Sequence, residues 1–191
     1  MENRERIMLC AEELFYSRGY DATGVQEIVE RAGVTKPTLY YYFGSKKGLL
    51  DAIFKSKFEN LTPVLKEIST RSEDIRRKLY SLATAYHTFF AKEYKLFRLL
   101  LALYYSAREN ESYQTAKPYF NGFYDIVIRM FEESAAELGN MHGRQRLFAV
   151  NYIGVLNQYL SFSLDETEEN YIVTEKQIYA MVDQFMHGIF S

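Results

Sequence analysis

Lys36, Thr38, Tyr40, Tyr41, Tyr42 and Lys46 fall within an eleven-residue stretch of this chain. Ammonium, phenol and threonine hydroxyl groups donate to phosphate oxygens, and the apolar parts of Thr and Tyr can touch a thymine methyl. So dense a set on one short segment, with Pro37 beside it, points to a surface that lies on DNA. Nothing comparable points to catalysis. The single cysteine, Cys10, and the histidines His87, His142 and His187 are scattered, and no metal-ligand spacing or phosphate-binding glycine loop occurs. The reading assigns no catalytic residue, metal or cofactor.

The elements that must hold this segment are legible around it. From Arg4 to Arg18 the residues Ile7, Cys10, Ala11, Leu14 and Phe15 recur at spacings of three and four, which predicts an amphipathic helix with Cys10 on its buried stripe. Gly19-Tyr20-Asp21 supplies a turn. Thr23, with Gln26 three residues on, has the pattern of a capping box before the apolar set Val25, Ile28, Val29 and Ala32. Gly33 ends that helix, and Thr35 can cap the next, with Pro37 in a first turn where its missing amide costs nothing. Leu39 and Phe43 face inward and leave the polar residues outward. Ser45 caps a fourth helix carrying Lys46 and Lys47 in its first turn, where cations oppose the helix dipole unless an anion such as a phosphate joins them. Two short helices about Ala32-Gly33-Val34 form a helix-turn-helix, whose second helix enters the major groove.

The order Thr23-Gly24-Val25-Gln26-Glu27-Ile28, then Ala32 through Phe43, then Ser45-Lys46-Lys47-Gly48-Leu49-Leu50 resembles the DNA-binding domain of the TetR family of bacterial transcriptional repressors over about residues 4 to 54. The resemblance implies an all-α chain of about nine helices. A three-helix head at 1–45 would be followed by a helical ligand-binding and dimerisation body at 46–191. It also implies a homodimer that leaves a palindromic double-stranded operator when a small molecule enters the body. Lys36, Pro37, Thr38 and Tyr40 match positions that touch bases, and Tyr41, Tyr42 and Lys46 match positions that hold phosphates. Thr23 and Thr35, the two cap residues, complete the DNA-facing set.

Charge agrees with the placement. Between Arg31 and Lys57 stand six bases and one acid, a sum of +5, while the chain is −2, so the remainder carries −7. A basic patch on an acidic molecule attracts phosphate locally. One cysteine excludes an internal disulfide framework, and no apolar run reaches membrane-spanning length, so the expected location is cytoplasmic, with no membrane partner.

Past Phe54 the pattern remains helical, with Pro63 and the polar run around Thr70 reading as a break. The spacing predicts helices near 46–60, 73–92, 95–108, 113–138, 143–163 and 175–190, no strands, and an acidic connection at Asp165 to Asn170. Aromatic residues crowd the first half of the body, as expected of an apolar effector pocket oriented by a few polar groups. The candidates are His87, Phe90, Phe97, Arg98, Tyr104, Phe120, Tyr124, Asn157 and Gln158. The last two helices are apolar around most of their circumference. Each has a face its own domain cannot cover, so the pair predicts a two-fold four-helix interface through Ile153, Leu156, Leu160, Ile178, Val182, Phe185 and Ile189, with Gly154 allowing close approach. The alternative is a DNA-binding adaptor of the same fold whose aromatic region is solid core and takes no inducer.

Overall fold

The computed structural model describes residues 2–138, 143–165 and 173–188. Among these it is all-α, with α1 (Asn3–Arg18), α2 (Val25–Ala32), α3 (Lys36–Phe43), α4 (Lys46–Thr70), α5 (Ile75–Lys92), α6 (Tyr94–Tyr104), α7 (Glu111–Glu133), α8 (Gln145–Asp165) and α9 (Glu175–His187). The chain divides into two compact units, Met1–Glu59 with Glu93–Phe120, and Asn60–Lys92 with Asn121–Ser191. Helices α4 and α7 each have one part in either unit.

In the first unit α1 buries Ile7, Ala11, Leu14 and Phe15. Cys10 lies only half-buried at the edge of that stripe, not on it as the spacing suggested. The α2 cap also differs from expectation. Gly24 is the N-cap and receives no side-chain bond. The Thr23 hydroxyl instead donates backward to the carbonyls of Gly19 and Leu14 at 2.8 and 3.3 Å, and Gln26 bonds Glu30 at 2.5 Å. Gly33 closes α2 in the left-handed region at φ 61°, with Val34 N–H on the Val29 carbonyl and Gly33 N–H on that of Glu30. That paired geometry needs a residue without a Cβ penalty. Thr35 caps α3 by accepting from the Thr38 amide, and Leu39 is its buried anchor. In the same unit the start of α4 adds Leu49, Leu50, Ile53 and Phe54 to the core, and α6 adds Leu96, Phe97, Leu99, Leu100 and Leu103. Ion pairs fasten α6 to the head. Lys57 lies 2.5 Å from Glu93 and 3.4 Å from Glu12, and Lys95 pairs with Glu13. Burial raises the Glu12 carboxyl above its ordinary range, against the opposing pull of Lys57.

Helix α4 does not stop at about residue 60 but runs through Pro63 to Thr70. Pro63 removes one amide and leaves the Glu59 carbonyl without its helical donor; both residues are exposed, so water can take that carbonyl and the break is not enforced. In the second unit the expected start at 73 becomes a cap for α5. Asp74 accepts from the Arg77 amide at 2.9 Å and Glu137 from the Ile75 amide at 3.1 Å. Tyr152, fully buried, donates to the Leu79 carbonyl at 2.5 Å and joins α8 to α5. The Thr174–Gln177 capping box opens α9 as its sequence pattern required.

Candidate nucleic-acid interface and effector region

Helix α3 presents what the sequence placed there. Lys36, Pro37, Tyr40, Tyr41 and Tyr42 are exposed, Tyr41 to 83%. Thr35 is exposed too, but its hydroxyl works as the cap and shares a 2.9 Å hydrogen bond with that of the half-buried Thr38. Tyr41 and Tyr42 meet edge-on at 5.1 Å, which limits their rotamers. Arg4 lies over the half-buried Phe43 ring at 5.6 Å, bringing a further cation beside the helix.

Two of the expected contact residues make bonds within the head. Thr23 is 1% exposed, and its hydroxyl is spent on the turn after α1, so its side chain offers nothing to a duplex. Lys46 reaches back from the first turn of α4 to the carbonyls of Tyr20 and Thr23 at 2.9 and 3.0 Å, with its ammonium 4.2 Å from the Tyr20 ring centroid. Carbonyl dipoles thus meet the charge that opposes the α4 dipole. Lys47, exposed at the same turn, is the cation turned to solvent. Tyr20 itself is 4% exposed and joins four groups; only its place in a turn was visible in the sequence.

The effector candidates divide between the units. Phe97 is core in the first unit, while Tyr104 and Phe120 meet edge-on at 5.1 Å in the same unit, where Arg98 is half-buried. His87, Phe90, Tyr124, Asn157 and Gln158 belong to the second. There Tyr86 gathers a cluster. Its ring stacks on Phe123 at 4.9 Å and tilts against Phe90 at 4.7 Å, and its hydroxyl donates to the Asn157 side chain. Gln158 is exposed and lies off that cluster, because it follows Asn157 by one position and a helix turns 100° per residue. His87 is 2% exposed, and its ring faces Tyr159 at 5.9 Å. Burial lowers its pKa to about 4, against a weaker opposing pull from the Leu156 backbone.

A pH test follows from that imidazole. Folded His87 resists protonation that the unfolded chain accepts at its ordinary pKa, so its contribution is complete above about pH 6.5 and is lost as pH falls toward 4. At pH 5 the loss is about 2 kcal/mol, a fall of about 4 to 8 °C in midpoint for a chain of this size. Thermal unfolding at pH 8 and pH 5 should show that extra drop in the natural chain and not in His87→Leu. Equal drops in both would contradict the buried, neutral imidazole.

Of the residues expected at the dimer interface, five are buried within the protomer and Phe185 is half-buried there. Ile153, Leu156, Leu160, Ile178 and Val182 are each 3% exposed or less, and Phe185 packs on Tyr152 at 5.0 Å and Phe131 at 6.2 Å. Ile189 lies outside the described residues. The apolar positions of α8 that face solvent are Leu147, Val150, Val155 and Phe162, at 54, 41, 36 and 56% exposure, with the exposed Gly154 among them and Tyr179 exposed on α9. From Leu147 to Phe162, about four turns of α8, they lie broadly on the side away from Tyr152 and Leu156. The sequence contained both stripes; periodicity alone did not say which one the protomer covers.

Residues 7–53 match the profile of the bacterial regulatory proteins of the tetR family. Over 99 residues the chain is 34% identical to the HTH-type transcriptional activator FasR of Mycolicibacterium smegmatis, a region that is 52% of this chain and 45% of that protein. The chain thus spans less than half the length of that curated relative. Its fold is similar to the transcriptional regulator FadR from Bacillus subtilis in complex with stearoyl-CoA, with TM-score 0.79 and 20% identity over 97% of this chain and 98% of that one. It is also similar to the fatty acid degradation regulator FadR from Bacillus halodurans, with TM-score 0.80 and 17% identity over 100% and 97%. At these identities the two structural likenesses concern the fold. Among the described residues no helix is long and apolar enough to cross a membrane.

Proposed function

From the premise that this chain belongs to the tetR family of bacterial regulatory proteins, we propose that it is a sequence-specific DNA-binding transcription regulator, a repressor released from a palindromic operator by a small apolar or aromatic effector. The observation that carries this reading is α3: a capped helix anchored by Leu39 that turns Lys36, Pro37, Tyr40 and Tyr41 to solvent directly after the Gly33 turn. Residues 1–45 serve as the DNA-binding part and 46–191 as the effector and dimer part. The exposed α8 stripe fits a second copy of the chain, since an apolar stripe repeated along a two-fold axis is self-complementary and pairs the two heads needed for a palindrome. The aromatic cluster around Tyr86, with the buried His87 beside it, supports an apolar effector that carries a polar group.

Binding titrations across salt test the DNA reading. Lys47→Ala should weaken all duplexes about equally and flatten the log–log salt slope by about 0.9 per protomer. Tyr40→Ala should instead alter preference at particular base pairs by about 1 to 3 kcal/mol. An unchanged slope for Lys47→Ala, or a uniform loss for Tyr40→Ala, would remove that residue from its role. A thermal-shift screen of apolar and aromatic compounds tests the effector. Stearoyl-CoA belongs in it because the B. subtilis fold neighbour was solved with that compound. A stabilising compound that leaves operator affinity unchanged would favour the adaptor reading instead.

A further inference from the structure

We propose that Tyr20 is a positioning residue that couples the first turn of α7 to the DNA-reading surface, through a relay of Glu111, Tyr20, Lys46 and Thr23; the inference rests on the DNA-binding reading above. Each link is a direct contact. Glu111 Oε1 accepts from the Tyr20 hydroxyl at 2.6 Å. The Tyr20 ring carries the Lys46 ammonium 4.2 Å from its centroid. That ammonium donates to the Tyr20 and Thr23 carbonyls, and the Thr23 hydroxyl holds the Leu14 and Gly19 carbonyls. The relay therefore ends on the turn that delivers the chain into α2, and α2 leads through Gly33 into α3.

Nothing in folding the head alone requires Glu111. Tyr20 could keep its ring against Phe15, 5.0 Å away, and its hydroxyl could find water. A carboxylate ninety-one positions along the chain takes that hydroxyl instead. The same part of α7 repeats the arrangement. Tyr119 donates to the Asp51 carboxylate on α4 at 3.0 Å, with its ring between Phe54 and Phe58 at 5.3 and 5.2 Å. Two tyrosine–carboxylate bonds thus fix the Glu111–Phe120 part of α7 to the turn after α1 and to α4, and α7 continues to Glu133 in the other unit. A shift of α7 along or about its axis draws on the turn before α2 through Glu111, so operator binding is sensitive to the state of that helix.

The test uses the full chain and a duplex enriched from random DNA by the natural protein, with a scrambled duplex as control. Tyr20→Phe keeps the ring and removes the donor, Glu111→Ala removes the acceptor, and Glu111→Gln keeps a neutral acceptor. We expect Tyr20→Phe and Glu111→Ala each to lower affinity for the selected duplex by roughly five- to tenfold, and the double variant to lose no more than either alone. Glu111→Gln should stay within about threefold of the natural chain, as a neutral acceptor forms a weaker but geometrically equal bond. Affinity for the scrambled duplex should not change, because the phosphate-facing cations are untouched. A merely structural bond would lower the unfolding midpoint and leave the affinity of the folded protein alone; that result, or losses that multiply in the double variant, would overturn the coupling. Because Glu111 is exposed, its variants report even if Tyr20→Phe folds poorly. If the natural chain enriches no sequence at all, the DNA-binding reading fails, which is a different outcome from a natural chain that binds and a Tyr20→Phe chain that binds equally well.

Discussion

Gly48→Ala will destabilise the protein by about 3 kcal/mol or more, lowering its unfolding midpoint by about 6 to 12 °C, and will abolish specific DNA binding in the surviving folded fraction. A Cβ at this position would fall far inside the contact distance of the Phe43 carbonyl oxygen, and the Phe43 carbonyl carbon lies at 3.2 Å. Those are backbone atoms at the end of α3, so no side chain can swing aside. The Gly48 amide also donates to the Ser45 hydroxyl at 2.9 Å to close the α4 cap, which prevents the first turn of α4 from backing away. The strain must appear as a rotation of α3 against α4 or as loss of the cap. Differential scanning calorimetry with operator titration gives both quantities. A midpoint within a degree or two of the natural chain, with normal affinity, would show that the α3–α4 junction is looser than described.

The second large effect is on assembly. Val155→Glu combined with Phe162→Glu should give a folded monomer whose operator affinity is lower by roughly a hundredfold or more, since each head loses the effective concentration supplied by its tethered neighbour. Both side chains face solvent in the protomer, so the charges carry no folding penalty there and a large one in an apolar interface. Val182→Glu would not serve. That residue is 2% exposed within the protomer, and the variant would unfold α9 before reporting on association. Sedimentation of the double variant as a dimer would move the interface away from the α8 stripe.

The head was the most legible part of the chain because its signals are local. Thr35 followed by Pro37, Gly33 after Ala32, and the inward Leu39 are decided within four or five residues, and α3 formed where those residues placed it. What the sequence could not show was where long side chains go. Lys46 lies in the first turn of α4 whichever way it points, and only the fold brings the Tyr20 and Thr23 carbonyls beneath it. Thr23 failed as a cap for a related reason: two carbonyls left by the end of α1 lie nearer its hydroxyl than the α2 amides do. In the body, periodicity found α8 and α9 but not their orientation. A helix apolar nearly all round carries two candidate stripes, and the one with Tyr152 was claimed by the protomer through the Leu79 carbonyl, leaving Leu147, Val150, Val155 and Phe162 outside. Gly48 stood in the quoted motif, yet its reason is the approach of Phe43, which no local pattern contains.

Whether α3 reads DNA sequence in a two-fold assembly is decided by selection from a random duplex library with the purified protein. The expected result is enrichment of one palindrome whose half-sites lie one or more whole helical turns apart, about 34 to 36 Å per turn, and loss of that enrichment at specific base pairs with Tyr40→Ala. Recovery of unenriched sequences, or of a motif unaffected by every exposed residue of α3, would contradict it.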